Sequence, residues 1–258
     1  MKPTIYAPIL GLVALAACSS LDTPTQPQGP AYTTYETLGD SLSIAAKLDE
    51  FRAALGGVLN APNTPPAASG RREINWDGVA PALTNVDNFP ADFFNVNSKR
   101  GAVFLTPGTG LRIDSTNFAA INAGLGDQFK FFSPKKTFMA VGSNQVDVQF
   151  QVVGTTATGL VSGFGVVFSD VDRNGSTTVE LFDANNVRIA LLKAPNHSGA
   201  QLLSFTGAVF ASPIIARARI TSGDAALNGT ILDVSAGGTA DLVVMDDFVY
   251  GEPQPLPQ

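Results

Sequence analysis

An all-β domain, a two-sheet antiparallel β-sandwich of jelly-roll type with one short N-terminal helix, is the fold that this sequence predicts, on three observations. Twenty-five glycines and 17 prolines in 258 residues favour frequent turns over long helices. Beyond Pro65 apolar residues recur with a period of two, in short runs separated by Gly, Asn, Asp and Pro. No helical pattern is interleaved between those runs, which argues against an α/β enzyme fold. Length adds that one or two domains are present, and 45 % hydrophobic against 15 % charged residues implies a packed interior.

The chain starts with Lys2 and an apolar run from Ile5 to Ala17, too short for the ~20 residues of a spanning helix and of the right size for a signal-peptide core. Leu15-Ala16-Ala17-Cys18 resembles the lipobox of bacterial lipoproteins, in which a peptidase cuts before the cysteine and the thiol carries diacylglycerol. An ordinary secretory signal cut after Ala16 or Ala17 is the other reading. Without residues 1–17 the chain loses one Lys and its net charge moves from −6 to −7, so anionic headgroups would repel it and acyl chains at Cys18 must do the anchoring. The lipobox makes the cell envelope the expected location, and Ser19, which resembles the sorting pattern for the outer membrane of Gram-negative cells, makes it the outer membrane if the host is Gram-negative.

Residues 18–39 are rich in Pro, Thr, Gln and Ser and read as a lipidated, flexible tether. The helix follows over 40–55, with apolar residues at 44, 48, 51 and 55, Asp40 or Ser41 at its start and Gly56-Gly57 at its end. Ten strands are expected, near 101–106, 128–133, 137–142, 145–153, 160–170, 176–183, 187–193, 202–210, 213–221 and 241–250. The clearest is Gln145 to Val153, with Val146, Val148, Phe150 and Val152 on one face and Asp147, Gln149 and Gln151 on the other. Residues 40–253 form one domain and 254–258 a tail.

Three stretches stand out: FRAALGG leading into SGRREINWDGV (51–79), GFGVVFSDVD (163–172), and RARITSGD with VVMDDFVYGEP (217–224 and 243–253). Over 51–253 they resemble an uncharacterised family of exported bacterial proteins. The middle and end strands are also similar to the β-sandwich modules of exported proteins that carry PEP-CTERM sorting signals. The chain ends in GEPQPLPQ, without that signal's hydrophobic helix and basic tail, so the expected anchor is N-terminal. The resemblance implies fold and export, and it brings no activity.

GRREINWDGV sets Arg71, Arg72, Glu73, Asn75 and Asp77 around Ile74 and Trp76, the sole tryptophan. One reading is a sugar-binding lip, Trp76 stacking on the ring while Asp77, Asn75 and an arginine bind hydroxyls. The other is a plug, Trp76 filling the core and the polar groups capping loops. Asp170-Val-Asp172-Arg-Asn174-Gly175 offers alternate oxygens like the opening of a calcium loop, although Leu181 stands where an EF-hand has its bidentate Glu. The same residues also describe a plain Asn-Gly hairpin. Asp246 and Asp247 interrupt an apolar strand, and a buried carboxylate needs a partner: a cation, Arg71 or Arg72, or backbone amides. They are candidate distant ligands for calcium.

Other classes are disfavoured. A net charge of −6 opposes nucleic acid. One Cys and one His leave no internal disulfide and little for imidazole or thiol catalysis, and His197 sits in a loop expected to be exposed. The expectation is therefore a monomeric, non-enzymatic envelope module that binds a glycan or surface protein. Its rival is a glycan-processing hydrolase using Glu73, Asp77, Asp246 or Asp247.

Overall fold

The structure is a computed structural model and describes Met1 and residues 29–199 and 201–258. Residues 2–17 of the expected signal segment, Cys18 and the first half of the tether, to residue 28, lie outside the described residues. Fourteen strands are described in antiparallel sheets. They are β1 (Tyr32–Gly39), β2 (Arg71–Ile74), β3 (Ala102–Leu105), β4 (Gly110–Asp114), β5 (Thr137–Val141), β6 (Gln145–Phe150), β7 (Gly159–Leu160), β8 (Gly163–Ser169), β9 (Thr178–Phe182), β10 (Arg188–Lys193), β11 (Leu203–Phe210), β12 (Arg217–Thr221), β13 (Val244–Gly251) and β14 (Gln254–Pro255). Helix α1 (Ser41–Ala54) joins β1 to the rest, and a single turn, α2 (Phe93–Val96), precedes β3.

One sheet runs β1-β11-β8-β13-β5-β4 with β2 also on β13, the other runs β10-β9-β12-β6-β3, and β14 pairs with β7. This order is a jelly roll. The pairs β9/β10, β8/β11, β6/β12 and β5/β13 are the rungs of one long antiparallel ribbon. Wrapping that ribbon brings β9 against β12 and β8 against β13, which closes the two sheets over each other. Four connections then gather at one end: β5–β6, β8–β9, β10–β11 and β12–β13. The register shows it, because Ser169 at the end of β8 faces both Leu203 and Val244, and Thr221 at the end of β12 faces both Gln145 and Thr178.

Between the sheets lies an aromatic core that includes Trp76, Phe104, Phe138, Phe150, Phe164 and Phe248. A second, smaller core lies outside the first sheet, where Ile44, Leu48, Phe51 and Leu55 of the α1 region pack on Val167, Leu203, Phe205 and Val249. Strand β8 is therefore covered on both faces, which explains its unbroken apolar run. Gly165 and Gly207 are register partners under α1, and a Cβ on either would approach the Phe51 ring to about 3.0 Å, so two glycines open the groove in which Phe51 sits. The Asp40 side chain accepts from the Ser43 amide at 2.9 Å and caps the helix as expected. Among the described residues no helix is long and apolar enough to cross a membrane.

Several expectations are corrected. Residues 32–39 belong to no tether: they form β1, which pairs along its whole length with β11 at the sheet edge. Tyr32 and Tyr35 pack on Phe210 and Phe51, and such singly apolar positions among Thr and Glu carry little strand signal. Residues 254–255 pair with β7, so the tail is in part fixed. Residues 128–133 form no strand, because side chains take their backbone donors: Lys130 N donates to Ser169 Oγ and Phe132 N to Asp246. Asn174-Gly175 makes no hairpin, since β8 and β9 lie in different sheets and the turn belongs to the crossing between them. Strands β1, β2, β4, β7 and β14 had no expectation of their own. The fourth strand carries Arg112 and Asp114, both buried as an ion pair, which disguises its alternation.

Candidate functional site

The GRREINWDGV segment runs along β13 as β2 and then turns inward. Arg72 is fully buried and holds Glu252 through Nε and Nη2 at 2.5 and 2.8 Å, while Nη1 donates to the Ala61 carbonyl and Thr64 hydroxyl. Glu73 lies between two guanidinium groups, taking Arg52 through both oxygens at 2.8–2.9 Å and Arg71 at 2.6 Å. Burial pushes the Glu73 carboxyl up, and the two arginines outweigh it and hold the group below its ordinary value. Trp76 takes the left-handed conformation at φ +65°, which turns its indole into the core. There it stacks on Phe138 at 4.1 Å and donates from Nε1 to the Asp246 carbonyl at 2.6 Å.

These contacts correct the sugar-lip expectation. Trp76 is 1 % exposed and only borders a small cleft instead of offering a stacking face, Arg72 is enclosed, and Arg71 and Glu73 pair with each other. Asn75 is exposed beside a cleft of about 80 Å³ also lined by Gly78, Phe93, Ser98 and Arg100. Small-molecule sites usually measure ~300 Å³ or more. Packing, the alternative reading of this segment, describes what the residues do.

Asp246 and Asp247 sit at a break in the β13–β8 register between Met245 and Phe248, and the break lets two adjacent carboxylates both be buried. Asp246 accepts from the Phe132 amide at 2.7 Å and the Ser133 hydroxyl at 2.8 Å. Backbone amide and hydroxyl are its partners, and Arg71 and Arg72 are committed elsewhere. Burial first, then the charge of Asp247, pushes the Asp246 carboxyl well above its ordinary value. Burial likewise raises Asp247, whose Oδ1 has no partner. Asp77 is near enough to Ser133 for its carboxyl to be affected by that hydroxyl, and burial raises it too.

A third group lies at the loop-rich end. Asp170 and Asp172 on the β8–β9 crossing meet Asp233 of the β12–β13 connection, each offering one oxygen within 4.8 Å of the others. Gln128 donates to Asp170 Oδ2, the Gly199 amide to Asp172 Oδ1 at 2.9 Å, and the Ser235 amide and Leu242 amide to the two oxygens of Asp233 at 2.7 Å. Asp170 Oδ1 and Asp172 Oδ2 are buried without partners. Burial and the neighbouring acids push Asp170 up to about 8 and Asp172 up to about 6. Asp241, next to the group, accepts from the Asp172 and Arg173 amides and the Ser176 hydroxyl, and so shapes the crossing.

Of the sequence-derived calcium ligands, the structure brings Asp170 and Asp172 together. Asn174 is exposed, and Asp246 and Asp247 belong to the separate group around Ser133. Sequence reasoning missed Asp233, Asp241 and Gln128. The signal available was Asp233-Val-Ser235, an Asp whose side chain can accept from the amide two residues on, but only the wrapping of the ribbon places it against Asp170.

Fold and site together define a jelly-roll sandwich with buried carboxylate groups. No family model matches the chain, and no curated protein matches it. Two solved structures do: the enzymatically active domain of bacteriophage CBA120 tailspike protein 4, at 13 % identity and a TM-score of 0.29 over 68 % of this chain and 22 % of that one, and a glycoside hydrolase family 43 arabinoxylan arabinofuranohydrolase from Bacillus subtilis, solved with cellotetraose, at 14 % and 0.28 over 87 % and 38 %. This chain thus spans well under half of either neighbour, and likeness at that level bears no functional argument.

Proposed function

We propose that the chain is a lipid-anchored, non-enzymatic module of the cell envelope, held in the membrane by acyl chains on Cys18 and presenting a jelly-roll domain that binds a glycan or another surface component. The observation that supports it is the state of the carboxylates a hydrolase would use. Glu73 is clamped by Arg52 and Arg71, while Asp246 and Asp247 are buried against loop donors and each other. General acid–base work on a glycoside needs two carboxyls flanking an open substrate groove. A cleft at Leu105, Gln145 and Arg219 carries Asp147, which is itself paired with Arg217 and Arg219. An outer-membrane location follows in this reading for a Gram-negative host.

The test uses the full-length chain in detergent, on a glycan array and in parallel hydrolase assays. Saturable binding without product supports the module. Turnover that disappears in Glu73→Gln or Asp247→Asn would establish the hydrolase instead. Anchoring is read separately by intact mass, which should begin at an acylated Cys18, and Cys18→Ala should release the protein from the membrane.

A further inference from the structure

We propose that Asp170, Asp172 and Asp233 form a calcium site that clamps the β8–β9 crossing to the β12–β13 connection at one end of the sandwich. The proposal is independent of the anchor and of any glycan.

Geometry comes first. One oxygen from each aspartate lies within 4.8 Å of the others, and ligands bound at 2.3–2.6 Å to a common calcium are separated by at most about 5 Å. Magnesium demands near-ideal octahedral geometry and keeps several of its waters, so a cage of protein carboxylates favours calcium. All three donors are carboxylate oxygens, the chemistry of a hard cation.

The second observation is the pair of unpartnered oxygens. Asp170 is fully buried and its Oδ1 meets no donor; Asp172 is 8 % exposed and its Oδ2 meets none. A buried carboxylate oxygen without a partner is costly, and chains elsewhere avoid it by pairing. The other oxygens of the trio are each held by a neutral donor: the Gln128 amide, the Gly199, Ser235 and Leu242 backbone amides, and the Ser235 hydroxyl. Such donors orient carboxylates without neutralising them. The charges that bear most on Asp170 are those of Asp233, Asp172 and Asp241, all acidic. Arg173, the nearest basic residue in sequence, turns outward to Asp224 and the Thr239 carbonyl.

A dication at this point answers both the charge and the missing partners. Three carboxylate oxygens fall short of the six to eight that calcium takes, so water and loop carbonyls complete the shell. The consequence is mechanical. Gly223, at φ +67°, brings the start of the β12–β13 connection so close to Asp241 that a Cβ would strike its carbonyl, and His197 N donates to Val171 O from the β10–β11 connection. Three loops would therefore be ordered by one ion.

The test is a calcium titration of the full-length chain in detergent after treatment with EGTA, by calorimetry and by thermal melting. One calcium should bind per chain, at least tenfold tighter than magnesium, and saturation should raise Tm by about 5–10 °C. Asp170→Asn and Asp172→Asn should each weaken binding at least tenfold. In EGTA, Asp170→Asn should melt no lower than the parent, because the amide has the shape of the carboxyl and adds no buried charge. Asp172→Asn, at the rim, carries the test if the buried variant does not fold. The proposal is overturned if millimolar calcium produces neither heat nor a change in Tm, or if both variants keep the full increment.

Discussion

The two ends of β13 handle buried carboxylates in opposite ways. Past its last residue, Gly251, Glu252 is 3 % exposed and receives a bidentate guanidinium from Arg72, itself supported by four loop oxygens. Before its first residue, Val244, the Asp170 group has the same burial and no basic partner. Between them, at the register break, Asp246 and Asp247 are held by an amide, a hydroxyl and each other. Burial alone therefore says little about a charge: what matters is whether the chain supplies the counter-charge itself. Where it does, the ends of the fold are tied by the polypeptide. Where it does not, neutral donors hold the carboxylates, as around Asp246, and at the Asp170 group the proposed calcium would supply the missing charge.

The largest break in that comparison comes from Arg72→Met. It leaves Glu252 buried without a counter-charge, held only by the Asn60 side-chain amide and the Ala67 backbone amide, for which the expected loss is ~3–5 kcal/mol. Urea unfolding of the full-length chain should show it as a lower midpoint at constant slope. Adding Glu252→Leu should recover much of the loss, since removing both charges spares the desolvation cost. A double variant as unstable as the single one would mean that the four loop oxygens around Arg72, rather than the ion pair, hold this end.

The two kinds of site also predict opposite pH slopes. Glu73 has a lowered carboxyl, so its contribution is present above its ordinary value of 4.5 and is lost as pH falls through the folded value. Asp246 and Asp247 are raised, so their contribution is complete below the ordinary 3.8 and is lost as pH rises through their folded values. The measurement is Tm against pH in parent, Glu73→Gln and Asp247→Asn, at fixed calcium. Glu73→Gln should lose least at acid pH, and Asp247→Asn should gain on the parent as pH rises. If Asp247→Asn tracks the parent at every pH, the pair is not protonated in the folded state.

Most of the sandwich was legible because nine of the ten expected strands are real, and apart from β13, broken by Asp246 and Asp247, they show the alternation of a sheet covered on one face or the continuous run of one covered on both. Gln145–Phe150 follows the first rule and Gly163–Ser169 the second. What was not legible depends on neighbours distant in sequence. Tyr32–Gly39 is a strand only because the open edge of β11 pairs with it, and residues 128–133 fail to be one because Ser169 and Asp246 take their amides. The site shows the same division. Asp170 and Asp172 could be picked out by their spacing, whereas Asp233 joins them through the wrapping of the ribbon, and the burial of Trp76 follows from a left-handed backbone that no pattern announces.

A smaller effect sharpens the arginine side. Arg52→Ala removes one of the two guanidinium partners of Glu73, which lies 17 % exposed and keeps Arg71. The expected loss is about 1–2 kcal/mol, the range for a hydrogen bond to a charged group with water able to replace part of it. Denaturant unfolding measures it, and a loss as large as that of Arg72→Met would contradict the idea that exposure and a second partner protect the site.

The smallest expected effect is the control for burial. Arg188 on β10 reaches Glu180 on β9 at 2.7 Å, a contact as short as those of Arg72, but the two side chains are 53 % and 23 % exposed. Water solvates both partners when the pair opens, salt screens it, and two side chains must be ordered to close it, so such pairs contribute ~0–1 kcal/mol. Arg188→Met uses the same substitution as Arg72→Met and differs only in where the charge stands. Its midpoint in urea should move little, and the shift should shrink further in high salt, while that of Arg72→Met should hardly respond to salt. Equal losses at the two positions would show that the contact, and not its removal from water, sets the energy, and the contrast between the two ends of β13 would then have to rest on geometry alone.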